Sequence, residues 1–306
     1  MDGNPKLITA IRREIATAGG QITFARFMEL ALYHPQFGYY RNGAARIGRD
    51  GDFFTSVSVG PVFGRILAQQ FRQWNAPVFE FGGRHGQLRQ DVLAGAPELD
   101  YRVIEVGDAV PEQITGTVFS NELLDALPVH RLCGDQEIYV TGDFTETLGP
   151  SSDSRLPRLP ASYRSEINLR ALDWLTDIAR RLTHGYVLTI DYGFERAEYF
   201  SPQHAAGHLQ CYYRHTKSGN PYEHIGEQDI TAHVDFTALI EHGQTLGLEP
   251  VLFTDQAHYL LKIGEAEIAE IVARDAGQLN RERNAIHQLL HSTMGTAFRV
   301  LIQRKQ

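Results

Sequence analysis

Residues 76–106 constrain this chain more than any other stretch. Ala76-Pro77 gives way to the apolar run Val78-Phe79-Glu80-Phe81, followed by Gly82-Gly83-Arg84-His85-Gly86 and a helix opening near Gln87. A second run, Tyr101-Arg102-Val103-Ile104-Glu105-Val106, also carries an acid near its end. Strand, glycine turn, helix and strand make a βαβ unit of the kind that binds a nucleoside: backbone N–H groups approach the ligand and the second acid accepts two ribose hydroxyls. The plain alternative is a tight strand-to-helix turn with no ligand. Because the glycines stand at 82, 83 and 86, the G-x-G-x-x-G fingerprint is missing and a nicotinamide cofactor is disfavoured.

The flanking sequence continues in the α/β manner. Thr117–Ser120 reads as a third strand, with a hairpin around 131–132 and 136–140 laid beside it. A helix over 167–182 leads into the strand Tyr186–Asp191. A helix near 236–246 precedes a strand at 249–253. Another strand is expected around 257–263, then a charged helix from Glu265 to about Leu290 and a closing strand at 297–303. Upstream, apolar stripes over Lys6–Thr17 and from Thr23 to Tyr33 make two helices, the second ended by Pro35. Residues 36–56, rich in glycine and aromatic rings, read as an ordered loop over a site, and Pro61 opens a helix reaching Trp74. The expected division is a helical cap and cofactor-covering loop at 1–75, then a core at 76–306 with insertions near 141–166 and 195–235.

Composition excludes several classes. In 306 residues, 42% hydrophobic and 22% charged content is that of a globular chain. A net charge of −8 disfavours a protein that holds nucleic acid by neutralising phosphates. Two cysteines, Cys133 and Cys211, offer no disulfide framework. The N-terminal residues contain no continuous apolar run, so neither a signal peptide nor membrane insertion is expected, and the cytoplasm is the default address. His233-x-Asp235 lacks a third ligand at metal spacing, so no metal site is expected. Tyr212, Tyr213, Arg214 and His215 either line a substrate groove or pack.

Five strings, ALYHPQFGYY (31–40), IGRDGDFFTS (47–56), SNELLDALPVHR (120–131), IDYGF (190–194) and QDITAHVDF (228–236), occur in an order and spacing that resembles one family. It is the class I methyltransferase family that includes the mitochondrial complex I assembly factor with protein arginine methyltransferase activity. The resemblance covers the chain from about residue 23 onward. It implies a Rossmann-like, seven-stranded methyltransferase sheet with an antiparallel last strand, and S-adenosylmethionine as cofactor. By the same resemblance, Glu80, Gly82 and Gly86 contact the methionine side of the cofactor, Glu105 takes the ribose, and Phe53, Thr55 and Ser56 close over it, with Phe53 and Phe54 equally suited to anchor the core. Asn121 and Glu122 face the methyl group. Glu122 suits a guanidinium, since a carboxylate takes two parallel N–H bonds. Asp125 either joins them or caps a following helix.

The sequence departs from the family at Arg84, where a glycine is usual, at Ser58, where an acid is usual, and in the short stretch from Glu105 to Asn121, which lacks room for the usual helix and strand. Two function classes follow: a methyltransferase acting on a protein side chain, arginine by family, or a non-catalytic module of the same fold that binds an assembly client. Oligomeric state is left open.

Overall fold

Val78–Phe81 (β1) is buried along its whole length, as a strand flanked on both sides and covered on both faces must be. It pairs in parallel with Tyr101–Ile104 (β2) on one side and Ile114–Asn121 (β3) on the other. Leu182–Phe194 (β4) pairs in parallel with β3. Glu249–Asp255 (β5) and Phe298–Lys305 (β6) complete the order β2-β1-β3-β4-β6-β5, in which β6 runs antiparallel to both neighbours. The antiparallel last strand is therefore present. β2 lies at one end of this order, and residues 105–113 reach β3 without helix or strand, as their shortness requires.

The structure is a computed structural model that describes residues 2–43, 56–83, 86–214, 216–274, 281–291 and 293–306. The chain divides into two units. Residues 55–124, 173–194 and 236–306 form the unit built on this sheet. Its helices are Val62–Trp74 (α1), Gln87–Gly95 (α2), Leu169–Arg181 (α3, shared along its length with the other unit), Phe236–Thr245 (α4), Gln256–Arg274 (α5), Arg281–His291 (α6) and Thr293–Ala297 (α7). One core joins Phe63, Ile66 and Phe71 of α1 to Phe119, Leu188, Val300 and Tyr259. The Phe71 and Phe119 rings meet edge-on at 5.5 Å. That packing places α1 with the sheet rather than with the N-terminal helices.

The segment around 257–263, expected as a strand, is the start of α5. Its buried residues are Gln256, Tyr259, Leu260, Gly264, Ile268 and Ile271, a spacing of three and four that only a helix turns to one side.

Residues 1–54, 125–172 and 195–235 form the other unit. Helices Pro5–Thr17 and Phe24–Tyr33 open on side-chain caps from Asn4 and Thr23. The 130–141 hairpin, expected beside β3, belongs instead to a separate antiparallel sheet in the order Gln21–Thr23, Gln136–Thr141, His130–Cys133, Arg164–Ile167, with Glu146–Gly149 also against Gln136–Thr141. A second small sheet sets Leu209–Tyr213 between Thr216–Ser218 and Asp229–Ala232. Leu7, Ile11, Phe24, Phe27, Met28 and Ile230 are among its core residues. Among the described residues of the chain, no helix is long and apolar enough to cross a membrane.

Candidate active site

Glu80 sits third in β1, 3% exposed, and its Oε2 finds no hydrogen-bond partner among the described residues. Burial, opposed by the nearby Tyr101 hydroxyl and reinforced by the charge of Glu105, pushes its carboxyl up to about 7. The glycine turn is shaped around this group. Gly82 has φ +75° and donates to the Ile104 carbonyl at 3.0 Å. A Cβ on Gly83 would stand 2.6 Å from the Glu80 carboxyl carbon, so only glycine leaves that carboxylate its space. Gly86, at φ +66°, opens α2 with no side-chain cap, which leaves the first amides of the helix to other partners. Glu105 follows directly on β2, half-buried, its amide held by the Asp108 carboxylate at 2.9 Å.

Across the sheet, β3 ends at Asn121, and the next residue breaks the strand in an unusual way. Glu122 has φ +51°, a left-handed conformation that costs a non-glycine residue on the order of 1–3 kcal/mol and collects at functional sites. Its amide donates to the Ile190 carbonyl at 3.0 Å. Its Oε1 accepts from the Ser56 amide at 3.0 Å and from Asn121 Nδ2 at 3.1 Å. The Asn121 Oδ1 is buried without a partner among the described residues.

Two residues outside the sequence-based candidates support this corner. Asp191 of β4, fully buried, accepts from the amides of Leu123 (3.2 Å), Leu124 (2.8 Å) and Tyr192 (2.9 Å). Gln256, the first residue of α5, accepts the Ser56 hydroxyl at 3.1 Å with both side chains buried. At the other acid, Gly83 beside Glu80 also lies outside those candidates. An acid ending a strand in Asp191-Tyr192-Gly193 was the available signal for Asp191; nothing local marks Gln256.

The structure thus brings Ser56, Asn121 and Glu122 into contact and couples Glu80 to Glu105 electrostatically. Asp125 lies in the other unit, buried, where its charge acts on the phenols of Tyr40 and Tyr212. No helix follows it: residues 125–126 are a turn, so the helix-cap reading fails. Phe53, Thr55 and Arg84 lie outside the described residues, as does His215. Tyr213 stacks on His224 at 3.8 Å with Arg214 over its ring, and the Tyr212 hydroxyl donates to Gln210, so packing takes up most of that cluster. His233 meets Gln210, whereas Asp235 pairs with Arg196 at 3.4 Å. Among the described residues, no group of three or more His, Cys, Asp or Glu could hold a metal ion.

With that geometry in view, comparison with known proteins identifies the family. The profile of an S-adenosyl-L-methionine-dependent methyltransferase family matches residues 97–254, just over half of the chain. The chain belongs to that family. A crystal structure of a Burkholderia thailandensis protein with S-adenosyl-homocysteine bound matches this methyltransferase with a TM-score of 0.90 at 31% identity, over 98% of this chain and 92% of that one. A native crystal structure from the same organism matches with a TM-score of 0.86 at 30% identity, over 98% and 91%. The Drosophila melanogaster protein named protein arginine methyltransferase NDUFAF7 homolog, mitochondrial, is 25% identical over 98% of this chain and 85% of its own length. S-adenosylmethionine is the cofactor of this methyltransferase. The chain's own residues fit it, since the buried oxygen of Glu80, without a partner among the described residues, offers an acceptor for a cationic group.

Proposed function

We propose that this methyltransferase methylates a protein side chain, and that the side chain is the guanidinium of arginine. The observation that carries the reading is Glu122: a carboxylate held in a strained backbone conformation and oriented by Ser56 and Asn121 at the end of a central strand. The Drosophila relative's name supports the same side chain.

In this reading Glu80 and the turn Gly82–Gly86 hold the methionine end of the cofactor, and Glu105 receives the ribose hydroxyls. Ser56, ahead of α1, serves Glu122, to which it gives its amide. The bound cofactor supplies a methyl group on a cationic sulfur. Glu122 takes two N–H bonds from the guanidinium and directs its remaining nitrogen, so positioning and electrostatics carry the rate. Asn121 fixes the Glu122 carboxylate. The partner is a protein, as substrate or as assembly client. Nucleic acid has no place in this reading.

The test is transfer of tritium from methyl-labelled S-adenosylmethionine to protein in a cell lysate, followed by hydrolysis and separation of methylated amino acids. Label should appear in methylarginine and fall roughly 10²-fold or more with Glu122→Gln. Label confined to another amino acid would sink the arginine assignment. Titration with S-adenosylhomocysteine checks the cofactor half: Glu105→Ala should weaken binding at least tenfold through loss of charge-assisted hydrogen bonds.

A further inference from the structure

The pairing of β3 with β4 ends at Asn121 opposite Ile190, while β4 continues against β6, with Asp191 opposite Arg299. The chain leaving β3 therefore turns away just where β4 presents Asp191. The amides of Leu123 and Leu124 lose their ladder partners at that point, and Asp191 Oδ2 takes both, while Oδ1 takes the amide of Tyr192. Two amides of the turn on one oxygen of a buried carboxylate hold the turn in which Glu122 stands at φ +51°.

The Glu122 side chain is held from a second direction. Ser56 gives its amide to Glu122 Oε1 and its hydroxyl to Gln256 at the start of α5. Backbone and carboxylate of one residue are thus set by two elements far apart in sequence.

We infer that Asp191 and Gln256 are positioning residues for methyl transfer: Asp191 fixes the Glu122 backbone, and Gln256 fixes Ser56, whose amide aims the Glu122 carboxylate. This rests on the reading of Glu122 given above. Asp191→Asn keeps the shape but replaces one carboxylate oxygen by an NH2 that cannot accept, and leaves a neutral oxygen to hold the Leu123 and Leu124 amides. That acceptor is weaker than the charged one, so the turn and with it the aim of Glu122 loosen, while the cofactor contacts at β1 and β2 are left in place.

The experiment measures three quantities on parent, Asp191→Asn, Gln256→Ala and Glu122→Gln: circular dichroism, affinity for S-adenosylhomocysteine by titration, and tritium transfer to lysate protein at saturating S-adenosylmethionine. Folded Asp191→Asn and Gln256→Ala should bind within about threefold of the parent yet transfer methyl at least tenfold more slowly, a rate effect without a binding effect. Parent-like rates in both, with Glu122→Gln inactive, overturn the inference and spare the reading of Glu122. A fully active Glu122→Gln overturns that reading itself. Loss of cofactor affinity in parallel with rate makes the two residues merely structural and also overturns the inference. If Asp191→Asn does not fold, Gln256→Ala decides.

Discussion

Glu80 carries a carboxyl that its surroundings push from 4.5 to about 7, chiefly by burial. Between those values the folded protein holds a proton that the unfolded chain releases, so stability contributed at this residue is full at low pH and declines as pH rises toward 7. The penalty above pH 7 is on the order of 3 kcal/mol. Glu80→Gln should therefore raise the melting temperature of the free protein at pH 8 and leave it nearly unchanged at pH 4. The same change should weaken S-adenosylmethionine binding, because the neutral amide cannot pair with a cationic group. A glutamine variant that melts below the parent at pH 8 would contradict the placement of Glu80 as an uncompensated acid. Gly83→Ala attacks the same pocket by volume: with its Cβ 2.6 Å from the carboxyl carbon, the Glu80 side chain must move, and titration should show cofactor affinity reduced by about tenfold or more.

Among the elements, β3 and β4 lie close together where Gly116 faces Gly185 beside a register shift at Ile114/Thr115. Gly185 has φ +133°, and a Cβ there would stand 1.9 Å from the Gly116 carbonyl oxygen. Gly185→Ala should cost about 2–4 kcal/mol, read as a lowered urea midpoint with an unchanged slope. A loss under about 0.5 kcal/mol would mean that the strands can separate cheaply here.

Elements like these differ in how far the sequence announces them. β1, the glycine turn and β2 are legible because their signals are local: an apolar run, glycines, then an acid. α5 is not, since Ala257–Ile263 is an apolar stretch too short to separate helix from strand by periodicity. The 130–141 hairpin is legible as a hairpin, but its sheet partners at Gln21–Thr23 and Arg164–Ile167 are set by long-range pairing that no local pattern carries. At the site, acids at strand ends can be read directly. The positive φ of Glu122 cannot, because no glycine or asparagine stands at that position, and Asp191 acts on the amides of Leu123 and Leu124, 68 and 67 residues away in sequence.

On the scale of the whole molecule, Glu80 of one unit and the histidines His208 and His233 of the other respond to acid in opposite senses. In the unit of the N-terminal helices, burial depresses His233 to about 3, with help from His208 and His204, and depresses His208 to about 4 against a bond to the Tyr199 carbonyl. Unfolded, both titrate near 6.5, so their contribution to stability is complete above that pH and is lost as pH falls through 6.5 toward the folded values, about 3 kcal/mol each by pH 4. Glu137 and Glu146 act in the same sense. Although burial pushes them upward, His130 and the Ser152 amide hold the first below its ordinary value, and Arg131 and Arg164 hold the second. In the sheet unit Glu80 does the reverse and becomes less costly as it takes up its proton. Acid should thus open the first unit before the second. Pulsed hydrogen exchange after incubation at pH 4.5 should find the amides of 209–213 and 229–232 unprotected while those of 78–81 and 114–121 stay protected, with both sets protected at pH 7.5. His233→Gln, which removes one proton-accepting group, should lower the pH at which the first set opens. Loss of protection in the 78–81 and 114–121 strands first would show that buried histidines do not govern the acid response.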